Sequence, residues 1–281
     1  MSAFISISDT EFQKFREFFY RKTGIHFDDS KRYFVDRRLC ERIEATKSES
    51  FRAYFMLLRF QASGEEMQRM TNLLTVNETY FFREEHQFDC VVHSILPLLI
   101  KKRDPHHPLR IWCMPSSSGE EPYSVAMTLL ERWPGIHQWD VEIIASDIDT
   151  EILRRAREGL FSERSVRNIP PALLRKYFSR SGAEFQICEA LRESVEFTRA
   201  NLADPMDTRN YRGFDIIFCR NLLIYFDDLS RRTAAETFFG ALNPGGFLLL
   251  GHSESMSRIS PIFNVRRFPE GVVYQKPYSI P

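Results

Sequence analysis

No stretch of the 281 residues approaches the roughly 20 consecutive apolar positions that a bilayer-spanning helix needs, so direct membrane insertion is not expected. An excess of one charge is also absent. The 38 lysines and arginines balance 38 aspartates and glutamates, and general nucleic-acid binding, which leaves a basic surplus, is not expected. The five cysteines (Cys40, Cys90, Cys113, Cys188, Cys219) form no Cys-x-x-Cys pair. Zinc is therefore not expected, and the odd, scattered set reads as free, mostly buried thiols in a reducing compartment. The opening "MSAFISISDTEF" has no charged leader or cleavage site, so the protein is expected to be cytoplasmic.

Glycine is scarce, with 12 residues, and it is missing where a phosphate-binding turn would place it. "RIWCMPSSSGEEPYS", Arg110 to Ser124, reads as strand, small-residue turn and helix, the setting in which Rossmann-like folds hold cofactors. The pyrophosphate fingerprint asks for three glycines; this turn has Gly119 alone, followed by Glu120 and Glu121. Carboxylates suit a cofactor with cationic centres and no phosphate. Acids are also favoured in any first helical turn, so the glutamates alone decide nothing.

What is present is ample core material: 43% apolar residues, 14% aromatic. The first seventy residues read as helices. Ser8 and Glu11 have capping-box spacing, Phe12, Phe15 and Phe19 share a face, and Gly24 stops that helix. A second helix starts near Asp29 or Ser30 and buries Val35, Leu39 and Ile43. A third follows Ser48 with Phe51, Tyr54, Phe55 and Leu58 inward, and a fourth spans roughly Glu65 to Leu74. From Leu109, short apolar runs ("LRIWCM", "VEIIASD", "FDIIFCRN", "GGFLLLGHS") alternate with helical segments, which predicts an α/β sheet covered on both faces. "FNVRRF" and "VVYQKP" around "PEG" predict a closing antiparallel hairpin. About fifty residues between "EGLFS" and "FDIIF" exceed a usual crossover, and "EFQI" and "SVEFTRAN" within them are read as strands of an inserted β-subdomain at about 162–200. A mostly parallel sheet ending in an antiparallel hairpin is the arrangement of class I methyltransferases. The expected division is a helical docking domain, 1–74, and a methyltransferase domain, 75–281.

"VEIIASDIDTEIL" ends a strand in Asp147, where an acid can accept hydrogen bonds from both hydroxyls of a ribose. "TVNETYFFRE", Thr75 to Glu84, packs polar and aromatic residues into the junction between the two regions. "FCRNLLIYFDD", Phe218 to Asp228, follows a core strand, where such sheets present their sites. In the order of these motifs, together with "SGEEPYS", "ASDID" and "ANL", nearly the whole chain resembles the CheR-type protein-glutamate O-methyltransferases of bacterial chemoreceptors.

The resemblance implies S-adenosylmethionine as methyl donor and S-adenosylhomocysteine as product. It implies Asn77, Thr79 and Arg83 as cofactor contacts, Arg83 also lying near the transferred methyl. Glu120 would face the methionine portion, Asp147 the ribose, and Asn201 and Leu202 the adenine. Arg220 and Asn221 would line the same pocket, and Tyr225 would orient the incoming side chain. A substrate glutamate, with a pKa of about 4.3, is already anionic near neutral pH, so no general base is required. None of the seven histidines is arranged as one, and His252 is left unassigned. An amino-group methyltransferase acting on nucleic acid would carry an N-P-P-Y-like motif where this chain reads "RNLLIY". A binding or scaffold module without turnover is the other alternative, against which Arg83 and Tyr225 speak.

The insertion "SRSGAEFQICEALRES" is shorter than in relatives that hold a receptor's C-terminal tail, and tail recognition is not expected. Nor is an appended repeat domain, since the chain ends at "QKPYSIP" just past the hairpin. From Lys14 to Arg59 there are twelve basic and seven acidic residues, and Lys31, Arg38 and Arg42 fall on one stripe by helical spacing. The expectation is a monomer that docks this stripe on the coiled-coil methylation helices of the receptor.

Overall fold

The structure is a computed structural model and describes residues 6–101 and 104–278; residues 1–5 and 279–281, on which the leader and chain-end readings partly rest, lie outside it. Helix α1 (Asp9–Thr23) starts at the expected capping box, Glu11 N–H donating to Ser8 Oγ while Ser8 N–H donates to Glu11, and it ends at Gly24 with φ of 73°. A 3-10 turn, Asp29–Lys31, precedes α2 (Arg32–Ala45), which buries Val35, Leu39 and Ile43. Helix α3 (Phe51–Phe60) is capped by Ser50, whose Oγ accepts from Ala53 N–H, two residues beyond the expected start. Helix α4 is Glu65–Leu74. After the junction strap come α5 (Glu85–Cys90), a π turn (Val91–Ile95) and α6 (Leu96–Ile100), a helical stretch that the sequence analysis does not anticipate.

The α/β region opens with β1 (Leu109–Cys113), α7 (Glu120–Arg132), β2 (Val141–Asp147) and α8 (Thr150–Glu158). Then come β3 (Leu160–Phe161), β4 (Phe178–Ser181), β5 (Glu184–Ile187), β6 (Val195–Arg199), β7 (Phe214–Cys219), β8 (Leu242–Leu250), β9 (Asn264–Phe268) and β10 (Gly271–Gln275). The main sheet has the order β6-β2-β1-β7-β8-β10-β9. Its first five strands run parallel, and β10 is antiparallel to both β8 and β9. This is the class I methyltransferase sheet. A separate antiparallel sheet has the order β3-β5-β4.

One expectation needs correction. The strand inside "SVEFTRAN" is not part of the insertion: it is β6, the edge of the main sheet, paired in parallel with β2 from Ile143↔Val195 to Asp147↔Arg199. As an edge strand it buries Val195 and Phe197 and exposes Glu196. Its alternation therefore resembles a small solvated strand rather than the continuous apolar run of the central strands. The inserted sheet begins at Leu160 and ends at Ile187.

Period-2 geometry divides the core. Ile111 and Cys113 of β1, Ile216 and Phe218 of β7, and Phe247 and Leu249 of β8 face α5 to α7. Trp112, Ile217, Leu248 and Leu250 face the other way and join Phe15, Phe19, Leu39, Tyr54 and Leu74 of α1 to α4 in one cluster. The expected boundary at 74/75 thus separates two segments that share a hydrophobic core.

Candidate active site

The strand order turns back between β1 and β7, and the crevice beyond their C-terminal ends is where such sheets bind ligands. A cavity of about 370 Å³ opens there, within the range of small-molecule sites. Its floor comes from the ends of β1, β2 and β7. Its sides are the junction strap and the segment from Ile25 to Phe34.

The lone glycine of the first turn now has a reason. Gly119 sits at φ of 98° and caps α7, and a Cβ there would lie 2.9 Å from the buried Tyr123 ring. The constraint comes from packing of the turn against its own helix. No room has to be left for a phosphate. The Met114–Pro115 peptide is cis, and both residues line the cavity.

Of the two glutamates after Gly119, it is Glu121 that faces the cavity. Glu120 is turned to a neighbouring cavity, where its carboxylate accepts from the Ser118 and Ser165 hydroxyls. One position along a helix is a rotation of about 100°, so neighbours cannot share a face. The placement expected of Glu120 is thus taken by Glu121. Glu121 Oε2 accepts from Arg220 Nε at 2.6 Å in a buried ion pair, while Oε1 has no hydrogen-bond partner among the described residues. Burial raises the Glu121 carboxyl above the usual range, and Arg220 opposes the rise. Arg220 also donates Nη1 to the Arg83 carbonyl at 2.7 Å and lies over the Phe88 ring. Its guanidinium ties β7, α7 and the strap together.

Asp147 ends β2 at the cavity wall and is buried. Its Oδ2 accepts from Ser117 N–H at 2.9 Å and Oδ1 from Asp149 N–H at 3.0 Å. Desolvation pushes its pKa up to about 6 against those two donors. Asn77 lines the cavity, but its amide donates to Asp149 Oδ2 at 2.9 Å, alongside the Thr75 hydroxyl at 2.7 Å. Thr79 and Asn221 line the cavity as well, Asn221 with φ of 59°.

Arg83 and Tyr225 share this wall. The strap that carries Arg83 is pinned by two phenylalanines. Phe81 packs edge-on against Phe161 and Phe178 of the inserted region, and Phe82 packs against Phe88. Arg83 Nη1 donates to the Glu78 carbonyl at 3.0 Å, the one hydrogen bond of its guanidinium among the described residues. Burial raises the Tyr225 phenol, the Glu78 charge adds to the rise and Arg83 opposes it. The Tyr225 carbonyl accepts from His26 N–H at 3.0 Å; His26 lines the cavity, its ring edge-on to Tyr20.

Other expected residues lie elsewhere. Asn201 and Leu202 are buried and do not line the cavity; the Asn201 amide donates to the Lys22 carbonyl at 2.6 Å. His252 is exposed and its Nδ1 meets Glu84 at 3.0 Å. The basic stripe is broken up. Lys31 ends the 3-10 turn and lines the cavity. Arg38 covers the Phe34 ring and pairs with Glu41. Arg42 does not belong to a free surface stripe: its Nε and Nη2 each donate to the buried Glu66 at 2.8 Å, and Tyr54 completes that group. Helical spacing placed Arg42 correctly on α2 but could not show the acid on α4 opposite it.

The wall fits S-adenosylmethionine. Two residues that line it, Ser117 and Glu121, each carry a buried polar atom, Oγ and Oε1, that has no hydrogen-bond partner among the described residues, and Asp147 lines the same cavity. Acceptors for an ammonium and a ribose are therefore present. Among the described residues no cluster of side chains could hold a metal ion, and no helix is long and apolar enough to cross a membrane.

Comparison with known proteins agrees. Residues 10–75 match the family model of the CheR methyltransferase all-alpha domain, and residues 77–272 that of the CheR methyltransferase SAM binding domain. The chain is 57% identical over 276 residues to chemotaxis protein methyltransferase 2 of Vibrio cholerae, covering 98% of this chain and 96% of that one. It is 35% identical to the chemotaxis protein methyltransferase of Salmonella typhimurium (95% and 91% covered) and to that of Escherichia coli (95% and 91%). With both of its regions matched in order, the chain belongs to the CheR family of S-adenosylmethionine-dependent methyltransferases.

Proposed function

We propose that this protein methylates glutamate side chains on the cytoplasmic coiled-coil helices of chemoreceptors, giving glutamate methyl esters, and that it works as a cytoplasmic monomer. The observation that carries this reading is the pairing of Arg83 with Tyr225 on one cavity wall. Arg220 is committed to Glu121, whereas Arg83 holds one carbonyl and keeps its remaining donors for an incoming carboxylate. S-adenosylmethionine supplies an electrophilic methyl on a sulfonium. Glu121 and Asp147 hold its ammonium and ribose, while Arg83 and the Tyr225 hydroxyl orient the acceptor. An ionised glutamate needs no base, so alignment and exclusion of water carry the catalysis. Docking falls to Lys31 and Arg38, Arg42 being internal.

Labelled methyl transfer to receptor-bearing membranes tests the reading. The label should leave as methanol in mild alkali, as an ester requires. Alkali-stable label would point to nitrogen as acceptor, and tight cofactor binding without transfer would point to a binding module.

A further inference from the structure

The loop that carries Tyr225 does not hold its own shape. Asn221 takes a left-handed conformation. Within the loop the backbone makes only the short turns Tyr225 N–H to the Leu222 carbonyl and Phe226 N–H to the Leu223 carbonyl, the latter carbonyl also accepting from Arg231 Nε. On one side the loop is tied to the N-terminal segment by the Ile25↔Phe226 bridge and by His26 N–H to the Tyr225 carbonyl. On the other side stands a carboxylate outside the cavity wall. Glu254 Oε2 accepts from Asn221 N–H at 2.8 Å and from Gly251 N–H at 2.9 Å, and its Oε1 accepts from Leu223 N–H at 2.7 Å. One carboxylate thus joins the loop after β7 to the loop after β8. The fit around it is tight: a Cβ on Gly251 would lie 2.9 Å from Glu254 Oε2 and 3.0 Å from Asn221 Nδ2.

We infer that Glu254 is a positioning residue for methyl transfer: by accepting three backbone N–H groups it sets the Asn221–Tyr225 loop and hence the Tyr225 hydroxyl on the cavity wall. The inference rests on the proposed role of Tyr225. No other acceptor for the Asn221 and Leu223 N–H groups is present among the described residues, so without Glu254 both lose their partner. A small displacement at that distance from the chemistry is enough to lower a rate strongly. Glu254→Gln keeps the shape but turns an amide NH2 toward at least one of the N–H donors.

The test is a double-mutant cycle with Tyr225→Phe, scored by kcat for labelled methyl transfer to receptor-bearing membranes, with cofactor affinity from calorimetry. Glu254→Gln should lower kcat roughly tenfold, with a smaller change in cofactor Kd. In the Tyr225→Phe background the same substitution should cost less than about threefold, because the group it positions is already gone. An equal loss in both backgrounds, or unchanged kcat with only a lowered melting temperature, overturns the inference. If Tyr225→Phe alone leaves turnover intact, the role proposed for Tyr225 falls, and the positioning of it by Glu254 falls too. Should glutamine prevent folding, Glu254→Asp keeps the charge, withdraws the carboxylate by one methylene and must show the same non-additivity.

Discussion

Cofactor affinity should fall in mild acid because of one carboxylate. Asp147 is buried with two backbone N–H donors and titrates at about 6 instead of the usual 3.8. A ribose diol donates hydrogen bonds to the anion, so binding favours ionised Asp147 and weakens as pH drops through that pKa. From about pH 7 to pH 5 the ionised fraction falls about tenfold, equivalent to ~1.4 kcal/mol of binding free energy. The sign for folding is opposite. A folded pKa above the unfolded one stabilises the fold at low pH, and that contribution is lost as pH rises through about 6. Asp147→Asn removes this burial penalty, roughly 3 kcal/mol at neutral pH, but forfeits one acceptor bond of about 1 kcal/mol. The variant should thus bind S-adenosylmethionine about tenfold more weakly at neutral pH, with an affinity that no longer depends on acidity, and should melt no lower than the parent. Calorimetric titration of parent and variant across this range, with melting curves, measures all three. A parent affinity flat down to about pH 5, or an acid-side fall that persists in Asp147→Asn, refutes the assignment and transfers suspicion to Glu121.

Arg220→Met should destabilise the protein by about 3–5 kcal/mol in denaturant titration, because it strands Glu121 in the interior. Gly119→Ala should cost more than about 1 kcal/mol, since the left-handed backbone and the Tyr123 ring both oppose a Cβ; Tyr123 is not free to yield while its hydroxyl donates to the Ala156 carbonyl. Arg38→Glu should raise the KM for receptor membranes and flatten its salt dependence with cofactor affinity unchanged, whereas Arg42→Ala should instead cost about 3–5 kcal/mol of stability by stranding Glu66. Equal behaviour of the two arginine variants would refute the division between surface and internal charge.

Local chemistry was legible wherever one segment decides the outcome. The Ser8–Glu11 box, the Gly24 stop and the apolar runs of β1, β2, β7 and β8 depend on spacing within a few residues. Partners across the fold were not legible. Arg42 carries the same local pattern as a surface arginine, and only α4 shows that Glu66 waits for it. Glu120 and Glu121 are chemically equal in the sequence; the angle at which α7 leaves Gly119 chooses between them. β6 was misassigned because an edge strand and a solvated hairpin strand share one alternation. Glu254 carried no signal, since an acceptor of backbone N–H groups needs no recognisable neighbours. The helical stretch at 85–100 is interrupted by the π turn Val91–Ile95 and carries Pro97 just after it, so no single helical repeat runs through its mixed polar and apolar residues.

The core shared by α1 to α4 and one face of the sheet has a consequence for engineering. Receptor choice is proposed to lie on the helical segment, which invites exchange of that segment between relatives to retarget the enzyme. Such chimeras inherit a seam through the middle of a packed cluster, because Phe15, Phe19 and Leu39 belong to the same buried cluster as Trp112 and Leu248 of the recipient's sheet. Grafted helices will fold and work only when the sheet residues beneath them travel too, so retargeting has to be designed as the repacking of a common interior.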